Sequence, residues 1–166
     1  AGSLALLRQR NSARVSSPAP MSQTALIPAP PLLHMHPLRV YWEDTDAGGV
    51  VFYANYLKFF ERGRTEWLRS LELHQQTLKT TVGGMFVVSE TQVRYHQPCR
   101  LDDVVIVETE LLQVGRVAID LRQTVWLQSA HPVRLCTGDI RVGWVDAVTL
   151  KPTRMPPTLT NALKRP

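Results

Sequence analysis

The chain lacks the sequence signatures of several large protein classes. No apolar run approaches the roughly 20 residues that a membrane-spanning helix needs, so we expect no stable insertion into a membrane. The phosphate loop of P-loop nucleotide hydrolases is absent, and so is the GxSxG elbow of serine hydrolases. Two cysteines occur, Cys99 and Cys136. Because they form no CxxC pair, they favour buried free thiols over a disulfide or a catalytic thiol.

Acidic residues are absent from the beginning of the chain. Residues 1–40 contain four arginines and no Asp or Glu, so only one unit of the net charge of +5 falls on residues 41–166. A nucleic-acid-binding face needs positive charge concentrated on the folded part of a protein. We therefore expect no nucleic-acid partner.

Residues 1–37 also lack a regular hydrophobic pattern. Six prolines interrupt this stretch, and serine and alanine fill much of the rest. We predict a disordered extension over 1–37 and one domain over 38–166, which is long enough to bury a sizeable core. Two alternatives stay open for the extension: an organelle transit peptide, or sequence upstream of a true start at Met21 or Met35.

The rest of the chain predicts one long helix followed by an antiparallel sheet. Apolar residues recur at helical spacing over 53–72, and apolar and polar residues then alternate through four segments. The expected strands span 38–42, 85–95, 104–112, 117–127 and 133–145, with a bulge at Gly138. Short connections favour an α+β fold with the helix on one face of the sheet, and we expect a second subunit to cover the rest.

Residues 44–56 concentrate chemically useful side chains between the first strand and the helix. Asp44 and Asp46 lie two residues apart, the pair Gly48–Gly49 follows, and Asn55 lies near the expected helix start. Paired glycines let the backbone approach a ligand, and a helix start presents unpaired N–H groups. A carboxylate facing such N–H groups is suited to acyl hydrolysis, because the N–H groups receive the oxyanion. The alternative is that both aspartates only cap nearby loop N–H groups in Asx turns.

Three further residues each have two interpretations. Glu61, two helical turns from the loop, is either a solvated charge or a partner that orients the loop or a water. Tyr53 is either part of the core or part of the site wall. His96, at the end of a strand, is either a packed histidine or a site residue.

The run from Tyr41 to Arg69 closely resembles one family. Its segment DTDAGGVVFYANY, residues 44–56, is similar to the signature of the 4-hydroxybenzoyl-CoA thioesterase family of hotdog-fold proteins. The resemblance covers about residues 38–150 and is strongest to the acyl-CoA thioesterases associated with the bacterial Tol–Pal system, the YbgC type. One position departs from that subgroup, which usually carries His where this chain has Tyr53. The aromatic-acyl branch of the family also carries Tyr there.

The resemblance implies a five-stranded antiparallel sheet wrapped around the long helix, in homodimers or homotetramers with sites at the dimer interface. It implies hydrolysis of an acyl-CoA thioester, with Asp46 as the catalytic aspartate and the N–H of Tyr53 polarising the carbonyl. Glu61 is a secondary catalytic candidate. The expected substrate-binding residues are Gly48, Gly49, Val50 and Asn55. We expect a cytoplasmic enzyme that needs no metal or other cofactor, with acyl carrier protein as a further candidate partner.

Two other functions remain as alternatives. A low-turnover acyl-binding or scaffold protein of the same fold, associated with the envelope or phospholipid synthesis, would not need the carboxylate of Asp46. A dehydratase or hydratase on this scaffold would carry a helix motif with a catalytic histidine, and the sequence shows no such motif.

Overall fold

The computed structural model of the protein describes residues 33–164, and residues 1–32 of the extension predicted over 1–37 lie outside the described residues. The elements in chain order are β1 (Leu33–Arg39), α1 (Asn55–Ser70), α2 (Gln75–Thr77) continuing into a π-helical turn (Leu78–Val82), β2 (Gly84–Tyr95), β3 (Val104–Val114), β4 (Ala118–Leu127), β5 (Val133–Asp146) and α3 (Pro157–Leu163). The predicted helix and the last four predicted strands are confirmed, with ends that differ by one or two residues.

The five strands form one antiparallel sheet in the order β1-β3-β4-β5-β2. The first two strands of the chain therefore lie at opposite edges of the sheet, and the last three lie between them. An edge strand has one row of backbone groups without a neighbour. Both β1 and β2 therefore have backbone groups that no neighbouring strand of the protomer covers.

The first strand differs from the prediction. β1 covers Leu33–Arg39 rather than 38–42, so 33–37 belong to the sheet and not to the extension, and Trp42–Asp44 form a 3-10 turn. The prolines before residue 38 predict an absence of regular structure there. Pro37 nevertheless lies in β1 opposite Ile106. Proline is tolerated on an edge strand, because the N–H groups along its outer side have no neighbouring strand to bond to.

The helix lies close against the concave face of the sheet. A Cβ built on Gly63 would come within 2.5 Å of Val107 Cγ1, so only glycine allows this approach in the middle of α1. The bulge predicted at Gly138 is wrong, since this residue pairs regularly with Val93 and Gln123. Gly138 is instead a contact point, where a Cβ would meet the ring of Phe60 at 2.7 Å.

The core lies between α1 and the sheet. Phe59, Phe60 and Trp67 of the helix are buried against inward-facing residues of the central strands, such as Val125 and Trp144. No helix among residues 33–164 has both the length and the apolar character to cross a membrane. The packing fixes α1 so that its N-terminal end emerges beside the loop that follows β1.

Candidate active site

The loop between β1 and α1 folds as a small hairpin. Thr45 and Val51 form an antiparallel bridge. Within it the N–H of Asp46 donates to the carbonyl of Val50 at 2.9 Å, and the N–H of Gly49 donates to the carbonyl of Asp46 at 3.0 Å. Gly49 has a φ of +73°, a left-handed conformation that glycine adopts without steric cost. The glycine pair therefore serves the tight end of this hairpin.

Asp44 holds the first half of the loop from inside the protein. Its side chain is 1% exposed, and Oδ2 accepts a hydrogen bond from the Tyr41 N–H at 2.9 Å. The Asp44 carbonyl accepts the Phe52 N–H and the Asn55 side-chain amide, both at 2.9 Å. Asn55 is itself buried and also donates to the Glu43 carbonyl at 3.3 Å. These bonds fasten the loop to the first residue of α1, so the structure places Asn55 beneath the site as a support.

Asp46 faces the opposite way. The residue is exposed, and its Oδ1 accepts a hydrogen bond from the Gly48 N–H at 2.8 Å. Among the described residues, Oδ2 of Asp46 receives no hydrogen bond. The Asx-turn interpretation is therefore correct for one oxygen of this carboxylate, while the other oxygen stays available to a water or a substrate.

Tyr53 lies just before the helix begins and has its backbone N–H available. Its carbonyl accepts a hydrogen bond from the Tyr95 hydroxyl at 2.9 Å. Within residues 33–164, the Tyr53 N–H makes no hydrogen bond to the protein. Ala54 is the N-cap of α1 and supplies no side-chain cap, so the positive end of the helix dipole is not occupied by a side-chain acceptor.

A groove of about 310 Å³ opens between the loop and the end of β2. Its walls are mainly aromatic, from Tyr53, Tyr56 and Tyr95, with Val50 on the loop side and His96 on the strand side. The rings of Tyr56 and Tyr95 meet edge to face at 5.6 Å. Burial raises the pKa of Tyr56, so this wall is a neutral phenol at physiological pH. Concave sites of this volume with a few polar groups bind small molecules.

Comparison with known proteins identifies the family. A family model described as the thioesterase-like superfamily matches residues 40–163. The chain belongs to the thioesterase-like superfamily. The acyl-CoA thioesterase YbgC of Haemophilus influenzae is 42% identical over 120 residues, which cover 72% of this chain and 86% of that protein. The acyl-CoA thioester hydrolase YbgC of Escherichia coli is 37% identical over 129 residues, 78% of this chain and 94% of that protein.

Solved structures confirm the hotdog fold of this thioesterase-like protein. A probable thioesterase from Bartonella henselae matches with a TM-score of 0.70 and 29% identity, covering 75% of this chain and 99% of that chain. A 4-hydroxybenzoyl CoA thioesterase complexed with 4-hydroxybenzoyl CoA has a TM-score of 0.71 at 17% identity, covering 78% and 97% of the two chains. At 17% identity, the likeness to the 4-hydroxybenzoyl CoA thioesterase shows the fold alone.

Glu61 lies apart from the hairpin of this thioesterase-like protein. Its carboxylate accepts the Thr65 hydroxyl at 2.7 Å, and it lines a cavity of about 150 Å³ between α1 and the sheet. That cavity and the groove beside the hairpin share no lining residue. Among the described residues of one protomer, Glu61 makes no hydrogen bond to the site loop. The structure brings together Asp46, Gly48, Gly49, Val50 and Tyr53, with Asn55 below them.

The two cysteines are free and buried, as predicted. Burial raises the pKa of both thiols to about 12. A catalytic thiol needs a lowered pKa, because the thiolate is the nucleophile. Cys99 and Cys136 therefore act as packing residues beside Tyr56.

Sequence reasoning missed the role of Tyr95, whose hydroxyl holds the Tyr53 carbonyl across the groove. Its signal is its position just before His96, within the stretch of about residues 38–150 that resembles the family. The residue types alone do not separate the roles of Asp44 and Asp46, because the two residues are identical and lie in the same loop; only the family resemblance assigns catalysis to Asp46.

Proposed function

We propose that the protein is an acyl-CoA thioesterase, which hydrolyses an acyl-CoA thioester to a free acid and CoA. Membership of the thioesterase-like superfamily makes the chain a thioester hydrolase, and its YbgC relatives carry acyl-CoA in their names. One observation carries the assignment of residues. Within residues 33–164, the hairpin holds an exposed carboxylate, Asp46, with one oxygen unbonded, and leads to a backbone N–H without a hydrogen-bond partner, that of Tyr53.

The chemistry follows from these two groups. Asp46 either takes a proton from the attacking water as a general base or attacks the carbonyl carbon itself to form an anhydride that water opens. In both routes the carbonyl oxygen becomes negative, and the N–H of Tyr53 together with the helix dipole stabilises that charge. The carbon–sulfur bond then breaks and CoA leaves as a thiol after the sulfur takes up a proton. Gly48 keeps the carboxylate oriented through its N–H.

An oligomer belongs to the proposal. β2 lies at an edge of the sheet, and residues 87–92 within it are exposed in the single protomer. Pairing of two β2 edges would continue the sheet and cover this strand. Glu61, whose cavity includes Phe86 and Val88 of β2, would then lie near the partner's hairpin, which is where a secondary catalytic role fits. We also propose that the enzyme is cytoplasmic and that acyl carrier protein is an alternative acyl donor.

The test is thiol release from a panel of acyl-CoAs that runs from short aliphatic through long-chain to hydroxybenzoyl. We expect turnover on at least one thioester, and a loss of about 10²–10⁴-fold in kcat for Asp46→Asn, the usual size of a general acid–base contribution. Asp102→Asn, in an exposed turn, is the matched control and should keep wild-type activity. Wild-type activity in Asp46→Asn would sink the mechanism. A folded protein without turnover on any thioester would favour the acyl-binding alternative.

A further inference from the structure

The chemistry at the hairpin leaves one proton to be supplied. When the carbon–sulfur bond breaks, its electron pair goes to the sulfur, and CoA leaves as a thiol only if that sulfur takes up a proton. Asp46 is poorly placed to give it. As a nucleophile the carboxylate is bonded to the acyl carbon and carries no proton, and as a general base it faces the attacking water rather than the departing sulfur. A proton donor for the sulfur is therefore expected on another wall of the groove.

Four titratable side chains line the groove between the hairpin and the end of β2, namely Tyr53, Tyr56, Tyr95 and His96. Burial raises the pKa of Tyr56 and that of Tyr95, which makes both phenols weaker acids. The Tyr95 hydroxyl also donates its hydrogen bond to the carbonyl of Tyr53 at 2.9 Å. Histidine, by contrast, is the side chain that exchanges a proton most readily near neutral pH. Of the described residues that line the groove, His96 is therefore the one suited to general acid catalysis.

His96 is fixed to the neighbouring strand at two points. It follows the last residue of β2, and its backbone N–H donates to the carbonyl of Leu135 in β5 at 2.8 Å. Its Nε2 lies 3.1 Å from the hydroxyl of Thr137, also in β5. A hydroxyl accepts as well as donates, so this contact can stabilise the ring with Nε2 protonated. Within residues 33–164, Nδ1 of His96 makes no hydrogen bond, so this nitrogen is available to a ligand.

The groove brings His96 and the Tyr53 peptide into one cavity. Tyr95, the residue before His96, bonds the Tyr53 carbonyl, and the rings of Tyr53 and Tyr95 meet edge to face at 6.4 Å. The volume of about 310 Å³ is at the lower end for small-molecule sites. A thioester whose carbonyl oxygen meets the Tyr53 N–H therefore has its sulfur near the strand-side wall, where His96 lies. Because His96 is exposed, water can restore its proton after each turnover.

We propose that His96 is the general acid that protonates the sulfur of CoA as the thioester is cleaved. The inference rests on the proposed function, because it places the thioester carbonyl at the N–H of Tyr53. The imidazolium gives the proton of Nδ1 to the sulfur, while the electron pair of the carbon–sulfur bond moves to that sulfur and the oxyanion re-forms a carbonyl. His96 is left as a neutral imidazole, held by Thr137, and takes its next proton from water.

The experiment compares two thioesters of one acyl group, an alkyl thioester on N-acetylcysteamine and an aryl thioester on thiophenol. An alkyl thiolate is a strong base that benefits from a proton donor, whereas thiophenolate leaves as a stable anion. For His96→Gln we expect kcat on the alkyl thioester and on acyl-CoA to fall about 10²-fold, the lower end of a general acid contribution. The value of kcat on the aryl thioester should stay at the wild-type level. His131→Gln, which removes an exposed histidine from the turn after β4, is the matched control and should change neither.

A second variant tests how the ring is held. Thr137→Val removes the hydroxyl beside Nε2 and should lower kcat on the alkyl thioester several-fold, again without an effect on the aryl thioester. Equal losses on both thioesters in His96→Gln would indicate a structural role and overturn the inference. So would a wild-type kcat on acyl-CoA, or a loss confined to KM. These results leave the proposed function standing, whereas a wild-type protein that turns over no thioester refutes both.

Discussion

The two halves of the hairpin loop differ in what their aspartates do. Asp44 is buried and its Oδ2 accepts the Tyr41 N–H, whereas Asp46 is exposed and, among the described residues, its Oδ2 accepts no hydrogen bond. The first half of the loop is therefore buried and fixed by hydrogen bonds. The second half exposes a carboxylate to solvent. A loop that carries chemistry needs both parts, because an exposed carboxylate is useful only if the backbone beneath it does not move.

The largest expected effects come from replacing each of the two aspartates by alanine and comparing stability with activity. Asp44→Ala leaves the Tyr41 N–H without its buried acceptor, so we expect a loss of about 1–3 kcal/mol in the free energy of unfolding. Asp46→Ala is the matched control and should change stability by less than about 0.5 kcal/mol, while its activity disappears. Urea unfolding and thiol release measure the two quantities. Equal stability losses in both variants would contradict the comparison.

The glycine pair sharpens the same contrast inside the exposed half. Gly49→Ala places a side chain at a φ of +73° and should cost roughly 1–2 kcal/mol of stability. Gly48→Ala has no such strain, but its Cβ would lie 3.1 Å from Oδ1 of Asp46, so it should lower kcat several-fold and leave stability nearly unchanged. Thermal unfolding and steady-state kinetics on both variants separate the effects. A Gly48→Ala enzyme with wild-type kcat would show that the orientation of Asp46 is unimportant.

The smallest effect concerns the groove side of the site. Tyr95→Phe removes the hydrogen bond to the Tyr53 carbonyl and should lower kcat by up to about tenfold, the size of one neutral hydrogen bond. Because the hydroxyl is exposed, the temperature of unfolding should fall little. Acyl-CoA turnover with unfolding as the control gives both numbers. An unchanged kcat would mean that the Tyr53 peptide is positioned by the helix alone.

Periodicity predicted the helix and the last four strands, because each runs long enough for its pattern to be unmistakable. The predicted position of β1 is wrong because proline disrupts strand pairing only where the strand has neighbours on both sides, and β1 is an edge strand. Whether a strand lies at an edge depends on the order of strands in the sheet, which the local sequence does not show. The sequence pattern predicts a bulge at Gly138, but the structure shows that a glycine is needed there to make room for the ring of Phe60, 78 residues earlier in the chain. The glycine pair and Asp46 were predicted by the motif. The motif does not predict the support from Asn55, because that support depends on a contact across the loop.

The tight contact at Gly63 has a consequence for how the site is aligned. Gly63 meets the sheet at Val107, and Asn55, eight residues earlier on α1, meets the hairpin. The two turns of helix between them act as a rigid spacer of about 12 Å that sets the position of the hairpin relative to the sheet. Adding or removing a single residue within those turns would rotate Asn55 by about 100° about the helix axis. Length in this stretch is therefore under tighter constraint than the identity of its exposed side chains.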